Sequence, residues 1–427
     1  MDDDCRRSRL TVFLRLLLAV PHYIWFILWS IVALIVAILN WFATLIMGRP
    51  PVAFHRFLCA YVRYTVHLSA YLYLLANPYP GFLGEAYPVY VVLPDEPQTQ
   101  RRWTTLIRLL LALPAAVIGS VLGGGFGIPL GFVAGHGRGG GSSNSSGGGG
   151  FSGGGLLAGI CAFLGWFASL VTGRMPSGLR DAGAYGIGYS AHVRAYVLLL
   201  TDRYPNSDPT AMLESAPRPA VHPVHLVGEA DELRRSRLTV FFRLPLFIPH
   251  YIWFYLWSVA AFIVSILNWF ATLITGRPLR PFQRFLGAFV RYQFHIFAFL
   301  TLAANPFPGF TGAPGVYPLD LALPAEPQRQ NRWKTLFRAV LAVPAWIVLF
   351  GALFALYTAS FFTWFFSLIL GRAPWGLRNL MAWALRYAAQ VNAYLYLLTD
   401  AYPHASPLEG EEPTPEIATT EVVPTEA

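Results

Sequence analysis

Two arginine–histidine pairs lie within stretches that are otherwise apolar enough to enter a lipid bilayer. Arg63 and His67 belong to FLCAYVRYTVHLSAYLYLLANPYPGF at 57–82, and Arg291 and His295 belong to FLGAFVRYQFHIFAFLTLAANPFPGF at 285–310. A spacing of four residues puts both side chains of a pair on one face of a helix. Such a pair could contact lipid phosphates, bond a neighbouring helix or line an ion path.

Each pair belongs to a longer polar stripe. At 100° per residue, the stripe side chains fall on one narrow face of their helix. The stripe recurs with substitutions in four stretches: Arg56, Ala60, Arg63 and His67; Asp181, Gly188 and His192; Arg284, Ala288, Arg291 and His295; Asn379, Arg386 and Gln390. All three hypotheses stay open. The variation between copies favours a tolerant surface at the lipid–water interface over a filter or a fixed site.

Other chemistry is not indicated by the sequence. We find no paired carboxylates, no Ser–His–Asp set and no phosphate loop, and the three cysteines lie too far apart for a metal site. We therefore expect no catalytic residue, no metal, no cofactor and no enzymatic activity.

Composition identifies the class of protein that must hold these stripes. Of the 427 residues, 55% are hydrophobic and only 12% are charged. Residues 16–47, 244–275 and 339–370 contain no Asp, Glu, Lys or Arg. Uncharged runs of this length are typical of membrane-inserted helices. The sequence thus predicts an all-α integral membrane protein, and the start MDDDCRRSRL predicts an uncleaved anchor.

The net charge of +9 comes almost entirely from arginine, because Lys334 is the single lysine. The arginines flank apolar runs and form no continuous basic face, which argues against nucleic-acid binding. We expect them to bind anionic lipid headgroups and to orient the chain. Membrane protein partners or a homo-oligomer remain open.

The chain repeats itself. SRLTVFLRLLLAVPHYIWFILWS at 8–30 returns as SRLTVFFRLPLFIPHYIWFYLWS at 236–258, and each half contains a weaker second copy. The repeats predict four units: 6–82, 101–205 with a glycine-rich insertion at 123–155, 234–310 and 331–403, followed by a disordered acidic tail at 404–427.

Every unit follows one pattern. A basic arm with arginines six residues apart precedes a long apolar run, a Gly-Arg turn ends that run, and a second helix, amphipathic or membrane-inserted, follows. Short segments at 87–94, 222–229 and 317–324 predict strands or extended linkers between the units.

The apolar run is too long for one upright span, because 32 helical residues reach about 48 Å against a hydrocarbon core of about 30 Å. It could form a hairpin or a long bent helix. Arginines at both ends, and a glycine-rich insertion near the middle of the second copy, favour the hairpin.

These patterns select fifteen candidate contacts to headgroups or the interface. They are Arg15, Arg49, Arg56, Arg63, His67, Arg174, His192, Arg243, Arg277, Arg284, Arg291, His295, Arg338, Arg372 and Arg386.

The combination of motifs resembles a family of bacterial membrane proteins known as domain of unknown function 4389. The matching residues are Thr44–Pro50, Arg56–Phe57, Arg63–Tyr64 and Asn77–Pro80, with their copies in the third unit. The resemblance implies a bacterial membrane protein and no established activity, so it transfers no active residue.

We therefore expect a multi-pass protein of the bacterial cytoplasmic membrane that acts as a membrane scaffold or organises lipids. The alternative is a subunit of a transporter or channel whose Arg/His stripes line a path.

Overall fold

A computed structural model of the protein describes residues 5–123, 155–214, 216–228 and 233–410. The described part is mostly helical, as predicted. Nearly all of the glycine-rich insertion and the tail from residue 411 onward lie outside the described residues. The predicted tail begins too early, because residues 405, 406 and 408 are buried.

The four units share three parts, which we call the arm, the long helix and the inner helix. The arms contain α1 (Arg9–Leu18), α4 (Arg102–Leu106), α9 (Arg237–Phe241), and α12 (Arg332–Leu336) with α13 (Arg338–Leu341). The long helices are α2 (Val20–Met47), α5 (Arg108–Leu122) with α6 (Leu156–Thr172), α10 (Arg243–Thr275) and α14 (Val343–Leu370). The inner helices are α3 (Val52–Leu72), α7 (Ser177–Val197), α11 (Arg280–Leu300) and α15 (Trp375–Leu395).

The hairpin favoured by the sequence is wrong for three of the four apolar runs. In units 1, 3 and 4 the run is one continuous helix. Pro21 and Pro344 lie in the first turn of α2 and α14, where proline is tolerated, whereas Pro249 lies inside α10 and the helix continues past it. Only unit 2 divides the run, into α5 and α6 on either side of the insertion. Within the part of the chain that the structure describes, three helices are long and apolar enough to cross a membrane: Arg9–Met47, Arg243–Thr275 and Val343–Leu370.

The Gly-Arg turns end the long helices as predicted. The glycine caps each helix in the left-handed conformation, with φ between 68° and 76°. A side chain with a β-carbon rarely adopts this conformation, so glycine is the residue that suits the position. The capping glycines are Gly48, Gly173, Gly276 and Gly371.

The inner helices lie between two different coverings. The long helices pack on one side of them, and extended segments that we call return segments cover the other side: 77–100, 202–214, 305–330 and 400–410. Inner helices α3 and α7 pack together in the first half of the chain, as α11 and α15 do in the second half. The halves meet where α14 contacts α5 and α6.

Two short strands join the halves at the linkers. β1 (His225–Val227) pairs antiparallel with β2 (Asp320–Ala322), in the register His225 to Ala322. Two of the three predicted segments thus contain strands, whereas 87–94 has none. A short helix, α8 (Pro209–Met212), lies in the return segment of unit 2.

The first arginine of each arm binds the other unit of its half. Its guanidinium donates to the carbonyl oxygen two residues before the capping glycine of that unit's long helix. The four bonds are Arg9 to Val171, Arg102 to Ile46, Arg237 to Ile369 and Arg332 to Ile274, at 2.8–3.0 Å. Carbonyls at a helix C-terminus have no intrahelical partner and carry the negative end of the helix dipole, so a cation is favourable there.

The second arginine of each arm does the same for the inner helix of its own unit. The four side chains are Arg15, Arg108, Arg243 and Arg338, and each is at most 2% exposed. Each guanidinium stacks 4.0–4.4 Å from an aromatic ring near the helix end and donates to carbonyl oxygens there. The two arginines of each arm, six residues apart, thus bind the C-terminal ends of two different helices.

This burial corrects the assignment of Arg15, Arg243 and Arg338 to lipid headgroups. Their guanidinium groups bind carbonyl oxygens inside the fold. They also stabilise helix ends where a leucine takes a left-handed conformation with φ of 62–70°: Leu74, Leu199, Leu302 and Leu397. Such a conformation is uncommon for a residue other than glycine.

Candidate functional site

The polar stripes of the inner helices face the return segments. In unit 1, the Pro94 carbonyl oxygen lies 2.8 Å from the imidazole of His55, and the ring of Tyr87 stacks on His67 at 4.9 Å. In unit 4, Arg386 donates to the Ser406 carbonyl oxygen at 2.6 Å. His67, His295 and Arg386 are buried, and His192, Arg63 and Arg291 are half-buried. The expectation that the stripe faces lipid phosphates is therefore wrong for the buried members.

Unit 3 contains the most connected part of the stripe. A carboxylate oxygen of Asp320 in β2 lies 2.7 Å from His295 Nε2 and 3.4 Å from Arg291 Nε. The N–H of Gly315 donates to the other oxygen of the same carboxylate at 2.7 Å. Burial alone would raise the pKa of Asp320, but the hydrogen bonds from His295, Gly315 and Leu321 outweigh it and the pKa lies below its ordinary value.

In unit 1, no carboxylate of the described residues forms such a contact with His67. Burial, with the nearby charge of Arg63 as a smaller cause, lowers the pKa of His67 to about 4. His67 is therefore neutral at pH 7. Arg63 lies 3.8 Å from Asp95, whose side chain is 96% exposed, so this contact is a surface ion pair.

These clusters connect an inner helix to the segment that covers it. Among the described residues, no group of three His, Cys, Asp or Glu side chains could hold a metal ion. A histidine and a carboxylate can act as a base and its orienting group, but such catalysis also needs access for a substrate. Both side chains of the His295–Asp320 pair are 3% exposed. We interpret the cluster as structural.

Six of the fifteen candidate residues remain on the surface. They lie in the Gly-Arg turns and at the starts of inner helices: Arg49, Arg56, Arg174, Arg277, Arg284 and Arg372. The turn arginines lie beside the arms. Arg6 forms a backbone bridge with Arg174, and Arg234 forms one with Arg372.

The second of these bridges borders a cleft of about 600 Å³ in the second half of the chain. Its lining consists of Arg234, Arg235, Ser236, Asn305, Leu370, Gly371 and Arg372. Arg234 and Arg372 are exposed, whereas Arg235 is buried. No carboxylate belongs to this lining. Two guanidinium groups beside a hydroxyl and an amide suit a phosphate or another oxyanion.

The first half brings together the same residue types. Arg6, Arg7 and Ser8 precede its arm, and the N–H of Arg7 donates to the Gly173 carbonyl oxygen at 2.9 Å, as that of Arg235 does to Gly371 at 2.8 Å. Sequence reasoning selected Arg174 and Arg372 but missed the arginines opposite them. The repeated Arg-Arg-Ser before each half was the available signal.

Comparison with known proteins places the chain in a family without adding an activity. The searches of curated proteins and of solved structures returned no match. The family described as domain of unknown function (DUF4389) matches four successive parts of the chain, residues 9–84, 151–207, 237–311 and 332–406. These four matches cover about two thirds of the 427 residues, and the protein therefore belongs to the DUF4389 family.

Proposed function

We propose that the protein is a non-enzymatic scaffold of the bacterial cytoplasmic membrane that organises lipids. Its long helices would lie among acyl chains, and its basic cleft would bind the phosphates of anionic headgroups. The observation that carries the proposal is the apolar surface of the long helices, whose exposed side chains include Ile24, Leu28, Ile35 and Phe42 on α2. A monomeric soluble protein rarely exposes a continuous apolar surface of this size.

The exposed arginines at the ends of these helices complement an anionic membrane surface. An arginine near such a surface contributes about 1 kcal/mol of binding free energy. The alternative, a transporter or channel subunit, has less support because return segments cover the stripes that would have to line its path.

Liposomes containing the purified protein test the proposal. We expect changes in vesicle shape by electron microscopy and in lipid order by a fluorescent probe, both stronger with anionic lipid. Movement of solutes or ions with unchanged shape and order would contradict the scaffold and support the alternative.

A matched pair of double variants tests the cleft. We expect the double variant Arg234→Gln and Arg372→Gln to weaken the response to anionic lipid. The double variant Arg203→Gln and Arg329→Gln is the control, since it removes the same charge from exposed arginines outside the cleft. An equal response of all three proteins would exclude the cleft as the headgroup site.

A further inference from the structure

The long helices do not match the thickness of a bilayer. The continuous helices α2 and α10 contain 28 and 33 residues. At 1.5 Å per residue they reach about 42 Å and about 50 Å, whereas the hydrocarbon core measures about 30 Å. To span it without mismatch they would have to tilt by about 45–53°, beyond the usual range of up to about 40°.

The arginines give no preferred direction across a membrane. Arg9 of the first arm binds the C-terminal end of the long helix of unit 2, and Arg102 of the second arm binds that of unit 1. Each end of these helices therefore carries an arm and a Gly-Arg turn. If the helices crossed the bilayer, exposed arginines would lie on both sides, contrary to the positive-inside rule.

The return segments are the feature least compatible with inner helices that cross the bilayer. In unit 1, the segment begins at Asn77, near the C-terminal end of α3, where Arg15 donates to the Asn77 side chain. It passes the middle of α3, where a β-carbon on Gly84 would lie 2.8 Å from the Ala60 carbonyl oxygen. It reaches the far end at Gln100, whose N–H donates to Gly48. An irregular chain thus runs the length of the inner helix.

This segment is exposed and charged at mid-length. Glu85, next to Gly84, is exposed, and so is Asp95. If α3 crossed the bilayer, an irregular backbone and a carboxylate would lie in hydrocarbon, which does not tolerate irregular backbone exposed to lipid. The side of α3 that carries the return segment must therefore contact water along its whole length.

We propose that the protein inserts into one leaflet only, with its long helices parallel to the membrane plane. The apolar surfaces of α2 and α10 contact the acyl chains of that leaflet, and the return segments face water on the same side. The arginines at both ends of each long helix then lie at one level, among the headgroups of a single leaflet. This inference rests on the membrane association in the proposed function and replaces the multi-pass topology predicted from run lengths.

Labelling of single cysteines tests the orientation. Cys5, Cys59 and Cys161 are first replaced by Ser or Ala. Ser8→Cys and Arg49→Cys then mark the two ends of Arg9–Met47. A membrane-impermeant maleimide is added to cells that express the full chain, before and after permeabilisation. We expect both ends to react from the same side. Reaction from opposite sides would overturn the proposal.

A second pair provides an independent check if one variant does not fold. Ser236→Cys and Arg277→Cys mark the equivalent ends in unit 3 and should also react from one side. Glu85→Cys should react from that same side, whereas a spanning α3 would hide it from the reagent on both sides. A hidden Glu85→Cys would also overturn the proposal.

The outcome separates this inference from the proposed function. Labelling from one side, with vesicles that keep their shape and lipid order, would retain the orientation and exclude the scaffold. Labelling from opposite sides, with deformed vesicles, would retain the scaffold and exclude insertion into one leaflet.

Discussion

Units 1 and 3 carry nearly the same helix and yet differ in what covers it. Both present an arginine and a histidine four residues apart, and in both the following segment folds back over the pair. In unit 3 that segment places the buried Asp320 against His295. In unit 1 the corresponding position in YPVYVVLP is Tyr90, which is 63% exposed.

The difference originates in the return segments. The third unit has GAPGVY at 312–317 where the first has GEAY at 84–87, which adds two residues. The added stretch contains Gly315, whose φ is +72° and whose N–H binds Asp320. β2 is further held by its pairing with β1. The contacts of an Arg/His pair on a helix, and therefore its chemical role, thus depend on the segment that covers the helix.

The largest expected difference between the two units follows removal of the carboxylate. Asp320→Ala leaves the buried His295 and the half-buried Arg291 without their shared acceptor, and we expect a loss of about 3–5 kcal/mol in the free energy of unfolding. Tyr90→Ala at the matched position should change it by at most about 0.5 kcal/mol. Denaturant unfolding in detergent micelles measures both. Equal losses would show that the two units do not differ in this way.

The second prediction is that units 1 and 3 lose stability in different pH ranges. The pKa of His67 falls from an ordinary 6.5 to about 4 on folding, so the unfolded chain binds a proton first. The contribution of neutral His67 to the free energy of unfolding is therefore complete above about pH 6.5 and declines between pH 6.5 and 4. Lowering the pH from 7 to 5 should cost about 2 kcal/mol. His67→Gln should remove only this share of the pH dependence, as unfolding at several pH values would reveal, because other histidines such as His222, whose pKa is also lowered to about 4 by burial, retain theirs.

Unit 3 should respond in a lower pH window. Because the pKa of Asp320 is lowered on folding, its stabilisation is complete above the ordinary value near 3.9 and declines as the pH falls through the lowered pKa. Asp320→Asn should therefore leave the share of the loss between pH 7 and 5 that His67 causes unchanged. If Asp320→Asn abolished this loss, the acid response would belong to unit 3 and the prediction for His67 would be wrong.

The smallest effect is expected at the exposed ion pair of unit 1. Asp95→Asn removes the partner of Arg63 in a solvated contact 3.8 Å long. Exposed pairs of this kind contribute about 0.2–1 kcal/mol to the free energy of unfolding. We expect a loss near the lower end of this range, and we expect it to disappear in high salt. A loss comparable to that of Asp320→Ala would mean that unit 1 also depends on its carboxylate.

Much of the fold could be predicted from local patterns. The helical class, the glycine-capped ends of the long helices and the family membership were all expected from short stretches of sequence. The predicted hairpin was wrong because it assumed that arginines at both ends of an apolar run require those ends to lie close together. In the structure the arm arginines bind the C-termini of other helices, a contact that a single run cannot reveal, and the arginines of the Gly-Arg turns remain on the surface.

The candidate site was only partly predictable for the same reason. Of the fifteen arginines and histidines, three bind helix ends from within the fold. His67, His295 and Arg386 are buried beneath return segments. Hydropathy places a charge on a helix face but does not identify the element that will cover that face.

Short segments of the sequence are enough to predict the four-unit organisation, because repeats, apolar runs and capping glycines are local features. Which arginines face outward and which are buried depends on the packing of distant parts of the chain. Arg9 meets Val171 across 162 residues, and Asn40 meets Leu198 across 158. Contacts of this kind depend on the geometry of several packed helices, since each buried cation needs an acceptor that another part of the chain supplies.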